Sequence, residues 1–223
     1  MRAPLSDGTC LLCSGVFSRT VMTRHLRGCG QPKVGRSAAP RQSSGKDFHL
    51  FVEGRYARAY WLHVAVPVEA PLGRLDDFLR RIWLECCGHL SAFSTGGRRY
   101  SLHPTEDFAE RDMRVSMDQV VEVGTKLLYE YDYGSTTELA LKVVGLRERE
   151  TKAAVKLLAR NQAPLIGCDR CRTGKQASQI CTQCVNSGKG WLCEECAGAH
   201  ACDRDTFLPV ANSPRAGVCG YTG

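Results

Sequence analysis

Cysteine and histidine side chains recur through this 223-residue chain at spacings that suit a metal ion. A C-x-x-C turn presents two thiolates to one ion, and zinc is held by four sulfur or nitrogen ligands in a tetrahedron. Four such pairs occur, each followed by a further cysteine, histidine or pair. The spacing predicts two to three structural zinc ions per chain. The candidate ligands are Cys10, Cys13, His25, Cys29, Cys168, Cys171, Cys181, Cys184, Cys193, Cys196, His200, Cys202 and Cys219.

The N-terminal ligands follow the spacing Cys10-x2-Cys13-x11-His25-x3-Cys29. This spacing is close to the pattern of a zinc finger with two cysteines and two histidines, except that the last ligand is a cysteine. A helix over residues 18–27 would place His25 and Cys29 four residues apart on one face, where both can reach the same ion. We therefore expect a finger of the C2HC type.

The C-terminal ligands favour a cross-brace, in which pairs that alternate along the chain share an ion. The first and third pairs would form one site, from Cys168, Cys171, Cys193 and Cys196. The second pair would join His200 and one more cysteine in a site formed by Cys181, Cys184, His200 and either Cys202 or Cys219. The sequence leaves that last choice open. A sequential arrangement, with Cys168, Cys171, Cys181 and Cys184 on one ion, is the main alternative. Four protein ligands close a zinc site, so we expect structural rather than catalytic ions.

These ligands must be positioned by a chain that divides into four segments. We predict an α+β fold in which an antiparallel sheet with packed helices is flanked by two small zinc-stabilised modules. The predicted segments are a C2HC-type finger over residues 1–29, a basic flexible linker over 30–46, an α+β core over 47–166 and a Cys-rich double-zinc module over 167–223.

The core shows period-2 and helical patterns of apolar residues. They predict a strand over residues 60–66, an amphipathic helix over 72–86, and a final strand over 155–159. Two hairpins are expected, one that turns at residues 95–97 and one that turns at Gly134 and Ser135. Ser116 and Gln119 have the spacing of a capping box, which predicts a short helix there.

The net charge of +7 is concentrated at the N-terminus. Residues 1–46 contain eight lysines and arginines and one acidic residue, whereas the rest of the chain is almost neutral. A polyanion would meet that segment first, so DNA or RNA is an expected partner. The candidate contacts are Arg19, Arg24, Arg27, Lys33 and Arg36. The alternative is a solvated basic tail. The C-terminal zinc module could present a surface to a protein partner.

The many cysteines also bear on the cell compartment. The opening residues contain no apolar stretch of the kind found in signal peptides, and no apolar run in the chain is long enough to span a membrane. We therefore expect a cytoplasmic protein without a membrane partner, in which reducing conditions favour zinc over disulfides. A disulfide-rich secreted domain is the alternative.

Other residues with possible chemistry give weaker signals. Glu130 and Asp132 lie two apart on a predicted strand, and paired carboxylates can do acid–base work. They are the basis of the alternative hypothesis of an enzyme, perhaps assisted by His89. Cys86 and Cys87 end the apolar helix, so we interpret them as packed thiols. Outside that hypothesis His49, His63, His89 and His103 have no partner spacing and are expected to be structural.

The core sequence resembles a known family. The segments Tyr60-Trp61-Leu62-His63-Val64, His89-Leu90-x-x-Phe93 and Leu128-Tyr129-Glu130-Tyr131-Asp132-Tyr133-Gly134-Ser135 are similar to those of the plasmid pRiA4b ORF-3-like family. The resemblance covers residues 48–160 and implies an α+β fold of a prokaryotic type that is also found in mobile elements. It implies no defined activity. The favoured hypothesis is therefore a zinc-binding, non-enzymatic interaction protein that contacts nucleic acid or a protein through its end modules.

Overall fold

A computed structural model describes residues 6–30, 45–105, 109–149, 154–171 and 173–223. Most of the predicted linker, including Lys33 and Arg36, lies outside these residues. The described chain forms a ten-stranded sheet and a separate three-stranded sheet. None of the described helices has the length and apolar content needed to cross a lipid bilayer.

The strands of the large sheet are β1 (Gly8–Cys10), β2 (Val16–Phe17), β3 (Lys46–Gly54), β4 (Trp61–Pro67), β5 (Ser91–Thr95), β6 (Arg98–Ser101), β7 (Arg111–Asp112), β8 (Lys126–Tyr131), β9 (Thr137–Glu148) and β10 (Lys156–Asn161). The small sheet contains β11 (Gln179–Cys181), β12 (Trp191–Leu192) and β13 (Phe207–Pro209). The helices are α1 (Arg19–His25), α2 (Leu72–Leu79), which continues as a π-helical turn over Arg80–Leu84, and α3 (Glu194–Gly198).

The strand order in the large sheet is β2-β1-β10-β4-β3-β9-β8-β5-β6-β7. Every neighbouring pair is antiparallel except β6 and β7. The predicted α+β class with an antiparallel sheet is confirmed. Because β1 pairs with β10, the two strands of the N-terminal module extend the sheet of the core.

A central strand was missing from the sequence-based prediction. Strand β3 lies between β4 and β9 and pairs with each of them along most of its length. Its apolar residues Phe48, Leu50 and Val52 alternate, and all three are buried. Both faces of β3 are covered: His49 on the opposite face is also buried.

The predicted amphipathic helix corresponds to α2 and the π turn that follows it. Its apolar stripe of Leu72, Leu75, Leu79 and Trp83 is fully buried against the sheet. The predicted capping box is wrong. Residues Met117–Gln119 form only a 3-10 turn, and the Ser116 hydroxyl donates to Asp118 Oδ1 at 2.5 Å instead of capping a helix.

Both predicted hairpins are present. Strands β5 and β6 meet at Gly96 and Gly97, which have positive φ as a tight turn requires. Strands β8 and β9 are joined by a turn in which Asp132 adopts a φ of 65°. The Asp132 carboxylate accepts hydrogen bonds from the backbone N–H groups of Gly134 and Ser135, so its side chain stabilises the turn.

A buried polar network fixes α2 to the sheet. Asp76 is fully buried, and its Oδ1 accepts hydrogen bonds from Ser91 Oγ at 2.6 Å and from the Tyr129 hydroxyl at 2.7 Å. Its Oδ2 accepts one from Arg80 Nε at 2.8 Å. Burial, followed by the nearby Asp76 charge, raises the pKa of Tyr129 well above its usual range, so the phenol stays a donor.

Replacing Asp76 with alanine should lower the free energy of unfolding by about 3 kcal/mol or more, because Arg80 would lose its buried partner. Urea titration of the purified protein measures this change. Asp77→Ala alters the next residue, which is only half-buried, and should cost much less. Equal losses in the two variants would show that the network is not what fixes the helix.

Candidate metal centres

The N-terminal ligands converge on one point. Cys10 ends β1 and Cys13 follows in the turn to β2, while His25 ends α1 and Cys29 lies one turn later. The Sγ atoms of Cys10 and Cys29 are 3.8 Å apart, and Cys13 Sγ lies 3.4 Å from His25 Nε2. All four ligand atoms lie within 4.8 Å of one another. These four residues could hold one metal ion.

The distances between these ligand atoms distinguish a metal site from a disulfide. In a tetrahedron with zinc–sulfur bonds of about 2.3 Å, two sulfurs are about 3.8 Å apart, and a sulfur and a ring nitrogen are about 3.5 Å apart. A disulfide would require about 2.05 Å between the sulfurs. The N-terminal group therefore has the spacing of a tetrahedral site.

The core holds this module in place. On the inner side of the finger, Met22 and Leu26 are fully buried and pack with Trp61 of β4. Arg147 of β9 donates hydrogen bonds to the carbonyl oxygens of Leu26 and Cys29. Its guanidinium thereby satisfies two carbonyl groups that follow the end of α1.

The C-terminal ligands form two groups that interleave along the chain. One group contains Cys168, Cys171, Cys193 and Cys196, and the other contains Cys181, Cys184, His200 and Cys202. Cys171 Sγ and Cys193 Sγ are 3.7 Å apart, and Cys184 Sγ and Cys202 Sγ are 3.8 Å apart. The structure brings together the residues of the cross-brace and not those of the sequential alternative. Of the two open candidates, Cys202 lies with the second group.

Backbone groups prepare some of these thiols to act as ligands. Burial raises the pKa of the Cys168 thiol, but hydrogen bonds from the backbone of Cys171, Cys193 and Arg170 outweigh burial and lower that pKa to about 6. The pKa of Cys181 is also lowered to about 6, because backbone groups of Cys184 and Gln183 outweigh its burial. A thiolate is the form that binds a metal.

The C-terminal module has little apolar material of its own. Over residues 167–209 the buried apolar side chains in the described chain are those of Ile180, Cys181, Leu192, Cys193 and Ala197, and two of these five belong to candidate ligands. Too little surface is buried for such a segment to fold by burial alone. In addition, His200 Nε2 is buried without a hydrogen-bond partner in the described chain, as expected of a nitrogen reserved for an ion. The donor set therefore fits a metal.

The structure also brings together a fourth group that the sequence analysis missed. It contains Cys86, Cys87, His89 and Cys219, whose ligand atoms lie within 4.8 Å of one another. The sequence alone indicates packed thiols for the first two and a structural role for His89. A local signal was present, since Cys86-Cys87-Gly88-His89 contains three ligands in four residues. Cys219 lies far away in sequence and gave no such signal.

The two candidate catalytic carboxylates do not work as a pair. Glu130 accepts a hydrogen bond from Arg99, whereas Asp132 lies beyond the end of β8 and accepts one from Arg215 at 2.7 Å. Hydrogen bonds from Arg215 and from the backbone outweigh burial and lower the pKa of Asp132. Neither carboxylate belongs to a metal-binding group in the described chain.

The basic residues of the finger differ in their availability. Arg24 and Arg27 are exposed. Arg19 is half-buried, pairs with Glu53 and stacks over Phe51 at 5.7 Å. Together with two threonines, these five residues line an open cleft of about 400 Å³ between α1 and β3.

A buried histidine pair lies next to this cleft. His49 Nε2 and His63 Nδ1 are 2.9 Å apart, and His63 Nε2 lies 3.3 Å from Thr23 Oγ1. Burial, with smaller effects from Arg147 and Arg27, lowers the pKa of His49 to about 4. Burial and the neighbouring His49 lower the pKa of His63 to about 2. Both rings are therefore neutral in the folded protein at neutral pH.

Comparison with known proteins adds a family and one similar structure. The model of a family described as plasmid pRiA4b ORF-3-like protein matches residues 54–180. No curated protein matches the chain. A similar solved structure is that of a protein of unknown function, MM3350 from Methanosarcina mazei Go1. It has 14% sequence identity and a TM-score of 0.46, and the match covers 51% of this chain and 67% of that one.

The histidine pair predicts a pH-dependent stability. Both folded-state pKa values lie below the unfolded value of about 6.5, so the unfolded chain binds more protons below that pH. The free energy of unfolding should fall from about pH 6.5 down to about pH 4, and His49 should contribute roughly 1.4 kcal/mol per pH unit to this slope. In the His49→Gln variant the slope, measured by urea titration at several pH values, should be shallower by about that amount.

Acid also protonates the cysteine ligands, but this effect is common to the wild type and the variant and leaves the difference in slope intact. His103→Gln changes an exposed histidine and should keep the wild-type pH dependence. A His49→Gln slope equal to that of the wild type would contradict the assignment.

Proposed function

This chain belongs to the plasmid pRiA4b ORF-3-like protein family, and from that premise we propose that it is a zinc-stabilised, non-enzymatic protein that binds nucleic acid. The finger and the cross-braced module each hold zinc, and the outer face of α1 contacts the phosphate backbone of DNA or RNA. The observation that carries the proposal is an exposed, basic helix face on a finger whose inner face is fixed to the core.

The identity of the ion follows from the ligand chemistry. Each of the three groups offers thiolates, with an imidazole in two of them, and such soft ligands select zinc over calcium or magnesium. The S···S and S···N distances of 3.4–3.8 Å match the edges of a zinc tetrahedron. Four protein ligands per group leave no open position for substrate, which supports a structural rather than a catalytic role.

The geometry of α1 supports contact with nucleic acid. Ser18, Val21 and Arg24 are spaced three residues apart and are all exposed, and Arg27 continues the same row. These first three are the positions from which a finger helix reads bases. Arg19 contributes less, since Glu53 already pairs with it. Two exposed arginines beside an open cleft favour phosphate contact, with little capacity for sequence reading.

Metal removal should unfold the C-terminal module and spare the core. After treatment with a strong zinc chelator, hydrogen–deuterium exchange at the amides of Ile180 in β11 and Trp191 in β12 should approach the unfolded rate, because the few buried apolar side chains of that module cannot hold it together. The amides of β3 and β9 serve as the internal control and should stay protected. Unchanged protection at Ile180 and Trp191 would exclude a structural ion there.

Reversing the charge of Arg24 in α1 and of Arg27, two residues beyond its end, tests whether this face of the finger binds nucleic acid. In the Arg24→Glu/Arg27→Glu variant, binding to short duplex DNA or single-stranded RNA of mixed sequence should weaken by at least tenfold at low salt. The slope of log K against log salt should fall by about two, the number of phosphate contacts removed. Fluorescence anisotropy at several salt concentrations gives both quantities.

The matched control is Arg58→Glu/Arg81→Glu, which changes the net charge equally at two exposed arginines of the core. It should retain most of the affinity. If wild-type protein binds neither nucleic acid at low salt, the proposal fails. If both double variants lose affinity equally, the long-range field of the protein and not the face of α1 is responsible.

A further inference from the structure

We propose that Cys86, Cys87, His89 and Cys219 form a fourth zinc site, which fastens the C-terminal tail to the core. This site is separate from the three sites of the finger and the cross-brace. It would bind a thiolate-preferring divalent cation, with zinc as the expected occupant.

The local backbone delivers three of the ligands together. The π turn after α2 ends at Leu84, and Cys86, Cys87 and His89 follow at once. Gly88 has a φ of +73°, which bends the chain sharply between Cys87 and His89. The backbone N–H of Gly88 donates to Glu85 Oε1 at 2.6 Å and stabilises this bend.

The fourth ligand arrives from the other end of the chain. Cys219 Sγ lies 3.3 Å from His89 Nε2, close to the S···N edge of about 3.5 Å in a zinc tetrahedron. Cys219 adopts a φ of +48°, a conformation that residues other than glycine rarely occupy. Such backbone strain persists only where the surroundings impose it.

Two charged residues that contact the candidate ligands, Asp132 and Arg215, lie where such residues are found around bound metal ions. His89 Nδ1, the nitrogen that faces away from Cys219, lies 3.6 Å from Asp132 Oδ1. This separation is longer than a hydrogen bond, so the carboxylate acts on the ligating imidazole through its charge. Arg215 donates from one Nη2 to both Cys86 Sγ at 3.5 Å and Asp132 Oδ2 at 2.7 Å. This fully buried guanidinium thus places a positive charge next to one of the three candidate sulfur ligands.

Contacts outside the site already direct the tail to this place. Ser213 Oγ donates to the carbonyl oxygen of Trp83 at 2.6 Å, and Asn212 Oδ1 accepts from Asn161 Nδ2 at 2.8 Å. Arg215 also bonds to Thr137 Oγ1 at 3.0 Å. These contacts bring the two ends of a very long loop near each other in the folded chain, and the ion would close that loop. A cross-link that closes a long loop restrains the unfolded chain more than one that closes a short loop.

The ligand count supports the same conclusion. The chain has 13 cysteines, and all of them fall in the four groups, together with His25, His89 and His200. Three sites of four ligands would leave exactly the three cysteines of the fourth group unused. With His89 they complete a fourth set of four.

Native mass spectrometry of the full chain, purified without added metal, tests the proposal. Wild-type protein should carry four zinc ions, and the Cys219→Ser and His89→Gln variants should each carry three. His103→Gln is the matched control, since it changes an exposed histidine outside every group, and it should carry four. Because two ligands are tested separately, failure of one variant to fold does not remove the test.

Two results would overturn the proposal. One is three zinc ions in wild-type protein and an unchanged three in Cys219→Ser, which would leave the finger and the cross-brace intact. The other is a disulfide among Cys86, Cys87 and Cys219 in peptide mapping of protein alkylated before digestion. Absence of zinc from all groups would instead refute the metal part of the proposed function as well.

The role of the ion as a fastener has its own measurement. The tail has backbone hydrogen bonds from Val218 N–H to the Arg215 carbonyl and from Tyr221 N–H to the Val218 carbonyl. In Cys219→Ser these two amides should exchange at least tenfold faster than in wild-type protein, while the amides of β11 and β12 keep their protection. Unchanged exchange at Val218 and Tyr221 would show that the tail needs no ion.

Discussion

The hydrogen-bonded ladders on both edges of β10 hold the ends of this molecule to its middle. One edge of β10 pairs with β1 of the N-terminal module and the other with β4 of the core. At its last residue, Asn161 accepts a hydrogen bond from the backbone N–H of Trp61 and exchanges hydrogen bonds with Asn212 of the C-terminal tail. Buried backbone groups must be paired, so a change in the position of β10 would disturb the finger, the core and the tail together.

The core and the C-terminal module depend on different sources of stability. Between α2 and the sheet, a continuous cluster of aliphatic and aromatic side chains is buried, and it is large enough to support folding through the hydrophobic effect. Over residues 167–209 the described part of the C-terminal module has five buried apolar side chains, two of them from candidate ligands, and eight converging ligands. Under the proposed function, coordination replaces burial there. The finger combines both sources of stability, because Met22 and Leu26 are buried against apolar side chains of the core in addition to the four candidate ligands.

Most patterns that act within a few residues predicted the structure correctly, whereas contacts between residues far apart in the sequence could not be predicted. The period of the apolar residues in α2, the glycine turn after β5 and the C-x-x-C spacing all act within a few residues, and each led to an element that is present or to cysteines that the structure brings together. Strand β3 was missed because Phe51 makes residues 50–52 a continuous apolar run, which obscures the alternation of the apolar residues with Asp47, His49 and Glu53. The fourth ligand group was missed because Cys219 lies 130 residues from His89, and because Cys86-Cys87-Gly88-His89 does not have the C-x-x-C spacing. Ser116 failed as a cap because its hydroxyl found a nearer partner in Asp118.

The position of β1 has a further consequence for how the chain avoids self-association. Without β1, the outer edge of β10 would present a row of unpaired N–H and C=O groups, which can recruit a strand from another molecule. Gly8 pairs with Asn161, so this edge is covered only after almost the whole core has been synthesised. The N-terminal module therefore covers this edge of β10, and because β1 is synthesised long before β10, its own backbone groups wait for a partner until the core is nearly complete.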